Sequence, residues 1–162
     1  MMYKVLDVCR HVVNYSNQND YGISNLKLQK ILYFIQAYFV MNTADQSACF
    51  EERIEAWDFG PVVPAAYHAY KHYGSGDIPS VVSYYEFDED SMWGLKTVEY
   101  EDNVISAEHK RLIDSVVDGF KDFSATDLVT ITHRQAPWKN AYVPHMNNEI
   151  TIDAIREYFN GK

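Results

Sequence analysis

The stretch Ile23-Ser24-Asn25-Leu26-Lys27-Leu28-Gln29-Lys30-Ile31-Leu32-Tyr33-Phe34-Ile35-Gln36-Ala37-Tyr38-Phe39 decides the fold class. Ser24 suits a helix N-cap, because its hydroxyl can accept from an N–H of the first turn that has no partner within the helix. Ile23 before the cap and Leu28 inside the helix have the spacing of a hydrophobic staple. Leu28, Ile31, Leu32, Ile35 and Phe39 recur at helical spacing and form one stripe. Tyr33, Phe34, Ala37 and Tyr38 cover much of the rest. A helix that is apolar nearly all round belongs in a core. The expected fold is therefore mainly α: a compact single-domain helical bundle around this central buried helix.

The flanking segments fit that plan. Val5, Val8, Cys9, Val12 and Val13 give a first amphipathic helix ending near Asn17, followed by a polar loop over residues 17–22. Residues 52–57 alternate and read as a short strand or extended segment, and Gly60-Pro61-Val62-Val63-Pro64 as a rigid turn. Pro64 fits the first turn of a third helix, which runs to about Tyr73 with Gly74 at its end. Val81, Val82, Tyr84, Tyr85 and Phe87, then residues 93–100, are strand-like and predict a small β-hairpin. Ser106 caps a helix carrying Leu112, Val116 and Phe120. Ser124 with Asp127 makes a capping-box pattern, for a helix that ends before Ala136-Pro137-Trp138. Thr151 caps a last helix with Ile152, Ile155 and Phe159 inward.

With 162 residues, 47% of them hydrophobic, the chain fits one domain, residues 1–162. Such a length buries about 70% of the unfolded surface, so no metal or disulfide staple is needed. The formal charge of −9 argues against direct nucleic-acid binding, which needs clustered Lys and Arg, and permits basic protein partners. The charge is concentrated: residues 86–102 hold seven acids and one base, a net of −6. Cys9 and Cys49 have no metal-ligand spacing and read as small core hydrophobes in a reducing cytosol. The start Met1-Met2-Tyr3-Lys4 lacks the apolar core of a signal peptide, and the greasy run from Ile31 to Met41 is too short to span a bilayer. A cytoplasmic protein with no membrane partner and no cofactor is expected.

No complete catalytic set emerges. His68 and His72 are four apart, as in the helical zinc-protease pair, but Ala69 stands where that motif places its glutamate. His133 lies near a helix end, where a protonated imidazole interacts well with the helix dipole. A small helical hydrolase using His68, His72 or His133 stands as the enzymatic alternative.

Three ordered segments carry a family resemblance. The first is residues 23–34 of the central helix. The second runs from Ile54 through Trp57-Asp58-Phe59-Gly60-Pro61-Val62-Val63-Pro64 to Tyr67, Tyr70, Lys71, Tyr73 and Gly74. The third is Thr132-His133-Arg134-Gln135-Ala136-Pro137-Trp138. Together they resemble the Panacea domain of phage-associated GepA-like and SocA-like proteins, over nearly the whole chain. The acidic segment, about residues 80–104, looks like the variable part. The resemblance implies an antitoxin that neutralises a cognate toxin protein by direct binding, in a bacterial or prophage toxin–antitoxin pair with the toxin gene adjacent. It also implies, as an alternative, a proteolytic adaptor presenting the toxin to a AAA+ protease.

The residues divide by role. Ser24, Leu28, Gln29, Lys30, Tyr33, Trp57, Gly60, Pro61, Pro64, His133, Pro137 and Trp138 read as structural motif positions. Gly60 answers a positive φ or a close backbone approach, Trp138 packs as a lid, and His133 reaches the Gly60-Pro61 turn. The expected toxin-binding residues are Trp57, Tyr67, Tyr70 and Tyr73, which are amphipathic aromatics, with Glu86, Asp88, Glu89 and Asp90, which oppose a basic toxin face.

Overall fold

A computed structural model describes residues 2–161. Helix α1 (Val5–Gln18) buries Val5, Val8, Cys9, Val12 and Val13, the periodic positions of its sequence. Helix α2 (Asn25–Asn42) starts where Ser24 Oγ accepts from the Lys27 N–H, and thirteen of its eighteen residues are buried. Such burial needs neighbours on every side. The later elements supply them: strands β1 (Ile54–Trp57) and β2 (Gly60–Val62), helix α3 (Pro64–Tyr70), strands β3 (Ser83–Phe87) and β4 (Leu95–Glu99), helices α4 (Ala107–Gly119), α5 (Ala125–His133) and α6 (Ala136–Ala141), strand β5 (Glu149–Ile150) and helix α7 (Ile152–Asn160). Helix α2 packs against α1, α3, α4, α5, α7 and β2. The fold is mainly α with two small antiparallel sheets.

Local sequence explains most boundaries. Ser106, Ser124 and Thr151 each accept a backbone N–H at the start of α4, α5 and α7, and Ser124 with Asp127 closes a full capping box. Pro64 occupies the first turn of α3, where a missing N–H leaves nothing unpaired. Two expectations are corrected. Gly60–Val62 is more than a turn, because it pairs with β1 in the register Glu55↔Val62, Ala56↔Pro61, Trp57↔Gly60. The third helix tightens into a 3₁₀ turn over Lys71–Tyr73, and Gly74 follows at φ +59°. Helix α5 ends at His133, before Ala136-Pro137-Trp138 as expected, and Pro137 lies in the first turn of the short helix α6 that follows a two-residue break.

Buried side chains form one contiguous cluster reaching from Val5 to Ile155. Cys9 and Cys49 lie in it as free thiols, and burial pushes both well above the usual thiol pKa. Buried polar groups on α2 are spent on backbone: Gln36 Oε1 accepts from the Cys49 and Phe50 N–H groups, and its Nε2 donates to the Phe50 carbonyl. Among the described residues, no helix is long and apolar enough to cross a membrane. Leu32 and Ile35 are fully enclosed, so Leu32→Ala and Ile35→Ala should each lower unfolding free energy by about 2–5 kcal/mol in a urea titration. A loss under about 1 kcal/mol at both sites would mean that the stripe packs against nothing.

Candidate functional site

The three ordered segments meet at the turn between β1 and β2. Gln29 and Lys30 reach it from α2. Gln29 Oε1 accepts from the Val63 N–H at 3.0 Å, and Gln29 Nε2 donates to Asn25 Oδ1. Lys30 is 0% exposed and its Nζ donates to the Pro61 carbonyl at 3.1 Å. Lys30 forms no salt bridge among the described residues, and burial pushes its pKa down to about 7. Gly60 makes room for that side chain. Its φ is +105°, and a Cβ there would lie 2.8 Å from Lys30 Cε and 2.9 Å from Thr132 Oγ1. Both reasons anticipated for a glycine therefore apply at once.

The third segment covers the turn from outside. Trp138 Nε1 donates to the Trp57 carbonyl at 2.8 Å. The Trp138 ring is stacked between His133, with centroids 4.0 Å apart, and Tyr142, with centroids 4.5 Å apart. Tyr142 Oη donates to Asp58. His133 does reach the turn, but at the Asp58 backbone, two residues before Gly60. Burial lowers its pKa and nearby Lys30 adds to that, while the hydrogen bond to Asp58 opposes both. The balance favours neutral imidazole rather than the charged, dipole-paired form read from the sequence. Tyr33 Oη donates to Gln135 Oε1, tying α2 to the α5–α6 link.

Held this way, the turn presents Phe59 to solvent at 67% exposure, beside exposed Asp58 and half-buried Trp57. A groove of about 490 Å³ runs past Trp57, Phe59, Tyr67 and Lys71. The Trp57 and Tyr67 rings meet edge to face at 5.1 Å. The three tyrosines do not share a face. Tyr70 is only 8% exposed and belongs to the core, so its place among toxin contacts is corrected: it sits on the inner side of α3. Tyr67 lines the groove, and Tyr73 is exposed on the 3₁₀ turn, its ring tilted against that of His72. The change of helix type after Tyr70 also takes His72 off the α-helical face of His68, whose ring lies near Tyr67 and Trp57 instead. No cluster of three metal-ligating side chains occurs among the described residues.

Glu86, Glu89 and Asp90 are exposed on the β3–β4 hairpin, with Asp88 partly covered at its tip. Sequence reasoning missed their apolar neighbours. Tyr85, Phe87, Met92 and Trp93 are all strongly exposed. The signal was the alternation Tyr85-Glu86-Phe87, which puts both rings on one face of a strand.

Two outcomes follow from the Lys30–Gly60 contact. Gly60→Ala should cost roughly 1–3 kcal/mol of stability, from the forbidden φ and the clash. Lys30 has a folded pKa below its unfolded value, so its proton is released on folding. Its contribution to stability is least below about pH 7 and grows as pH rises from there, by up to about 1.4 kcal/mol per unit. Melting curves from pH 7 to 8.5 should show that rise, and Lys30→Met should flatten it. An identical pH slope in both proteins would show that Lys30 is not the titrating group.

The family model for the antitoxin SocA-like, Panacea domain matches residues 28–139. The match opens inside the first segment, closes one residue after Trp138 and takes in the β3–β4 hairpin, leaving α1 and α7 outside although both pack on α2. Neither a curated protein nor a solved structure matches the chain. The match covers well over half of the chain, and the chain belongs to the SocA-like antitoxin family of Panacea-domain proteins.

Proposed function

We propose that the protein is the antitoxin of a bacterial or prophage toxin–antitoxin pair and neutralises its toxin by direct binding in the cytoplasm, as a single domain and without catalysis. The toxin is the product of an adjacent gene. One observation supports this reading beyond family membership: Gln29, Lys30 and Trp138 bond to backbone around the β1–β2 turn and Tyr33 bonds to Gln135 at the α5–α6 link, which leaves these four side chains holding the scaffold rather than facing a substrate. The scaffold so made displays aromatic side chains, and large amphipathic rings are the usual anchors of protein interfaces. Trp57, Tyr67 and Tyr73 are the contacts proposed on the groove side, with Phe59 added to them. Glu86, Asp88, Glu89 and Asp90 are the acidic contacts proposed for a basic toxin face.

Co-expression with the neighbouring reading frame tests the reading. That product alone should arrest growth, and the protein should restore growth and co-purify with it. His68→Ala and His72→Ala, both outside the core, should leave protection and binding unchanged. A histidine variant that still binds the toxin fully but no longer protects cells would refute neutralisation by binding alone and restore the enzymatic alternative.

A further inference from the structure

The β3–β4 hairpin carries an apolar face on which no described residue packs closely enough to cover Tyr85 or Phe87. The register pairs Phe87 with Leu95 and Tyr85 with Thr97 on one face, and Tyr84 with Val98 and Glu86 with Lys96 on the other. The second face is turned toward the body. The Arg10 guanidinium lies 3.4 Å from the centroid of the Tyr84 ring. At the hairpin's root, Asn14 Nδ2 donates to the Val81 carbonyl and Asn14 Oδ1 accepts the Val81 N–H. Lys110 donates to the Asp102 carbonyl and pairs with its carboxylate. These contacts fix the first face outward.

That outer face is costly to leave in water. Phe87 is 92% exposed, Trp93 84% and Met92 87%, on one small hairpin. Grouped exposed apolar side chains of this size mark interaction surfaces, whereas a single exposed residue marks nothing. Aromatics and Met are also the types enriched at interface cores. The surrounding charge selects the occupant. The segment carries a net of −6, so a second copy would set like charge against like, and an anionic bilayer would repel it. A basic protein surface satisfies both features: its cations meet the acidic rim while an apolar cleft takes the rings.

We infer that the outer face of this hairpin and its tip dock the toxin: Phe87 of the strand, with Met92 and Trp93 of the tip, inserts into an apolar cleft flanked by Lys and Arg, and Glu89 and Asp90 at the tip pair with those cations. This inference rests on the antitoxin reading and names its surface. These anchors lie on the hairpin, and the buried Tyr70 of α3 is not among them. Acids around the rim accelerate encounter, and the apolar anchors hold the complex once formed.

The probe is the purified product of the neighbouring reading frame, in an inactive variant, with binding followed kinetically. Phe87→Ser with Trp93→Ser should weaken affinity roughly thirtyfold or more, mainly through faster dissociation. Circular dichroism and melting temperature should stay at wild-type values, because both residues are solvent-exposed. Trp93→Phe keeps an apolar anchor and should retain most of the affinity. Glu89→Lys and Asp90→Lys together should slow association at low salt and reduce its salt dependence. Asp88 is left intact, since its Oδ1 accepts the Asp90 N–H at the tip. Wild-type affinity in both the serine and the lysine variants would overturn the hairpin inference and leave the antitoxin reading standing. Absence of binding by the wild-type protein would remove both. Sedimentation of the protein alone should give a monomer, and a dimer broken by the serine pair would assign the face to a second copy and overturn the inference.

Discussion

A lysine with no exposed surface ties the central helix to the strand pair that crosses it. Lys30 leaves α2 inside the core, passes the bare Cα of Gly60 and donates to the Pro61 carbonyl. Burying an ammonium without a carboxylate costs more than one backbone hydrogen bond returns, and the fall of its pKa to about 7 expresses that cost. The arrangement nonetheless fixes geometry. Only a residue without a Cβ fits at Gly60, the extended Lys30 side chain reaches the Pro61 carbonyl, and Gln29 takes the Val63 N–H two residues further on. The β1–β2 turn is thereby held against α2, and Trp138 closes over it through the Trp57 carbonyl.

From this constraint the rest of the site follows. With its backbone held from within, the turn can expose Phe59 and half-expose Trp57 without collapsing onto the core. The β3–β4 hairpin is attached differently, through side chains of α1 and α4: Asn14, Arg10 and Lys110. The protein thus separates a scaffold, in which polar side chains are consumed internally, from a projecting element whose side chains face outward. Substitutions at the exposed positions of the projecting element should leave stability nearly untouched.

Much of the fold was legible because local signals agreed. The stripe from Leu28 to Phe39, the Ser24 cap and the Ser124–Asp127 box each predict an element that forms. The hairpin over residues 83–99 was readable from its β-prone residues. What escaped depended on tertiary context. The pairing of β1 with β5, ninety residues apart in the chain, has no local signature. The 3₁₀ turn after Tyr70 shifts His72 and Tyr73 off the face that α-helical spacing assigns them. Tyr70 could not be told from Tyr67 by spacing, since only the packing of α3 decides which ring turns inward. The exposed rings of the hairpin were hidden for the opposite reason: sequence patterns presume that an apolar face will be covered, and here it is not.

The central claim is stoichiometric binding, and a titration addresses it directly. The activity of the purified toxin is measured against rising amounts of this protein, at toxin concentrations well above the dissociation constant. Occupancy of a binding surface predicts a linear fall to an end point at a fixed molar ratio, with activity returning on dilution of the complex. Complete inactivation by a small fraction of one equivalent, growing with time and persisting after dilution, would mean that the protein turns over and would contradict the account.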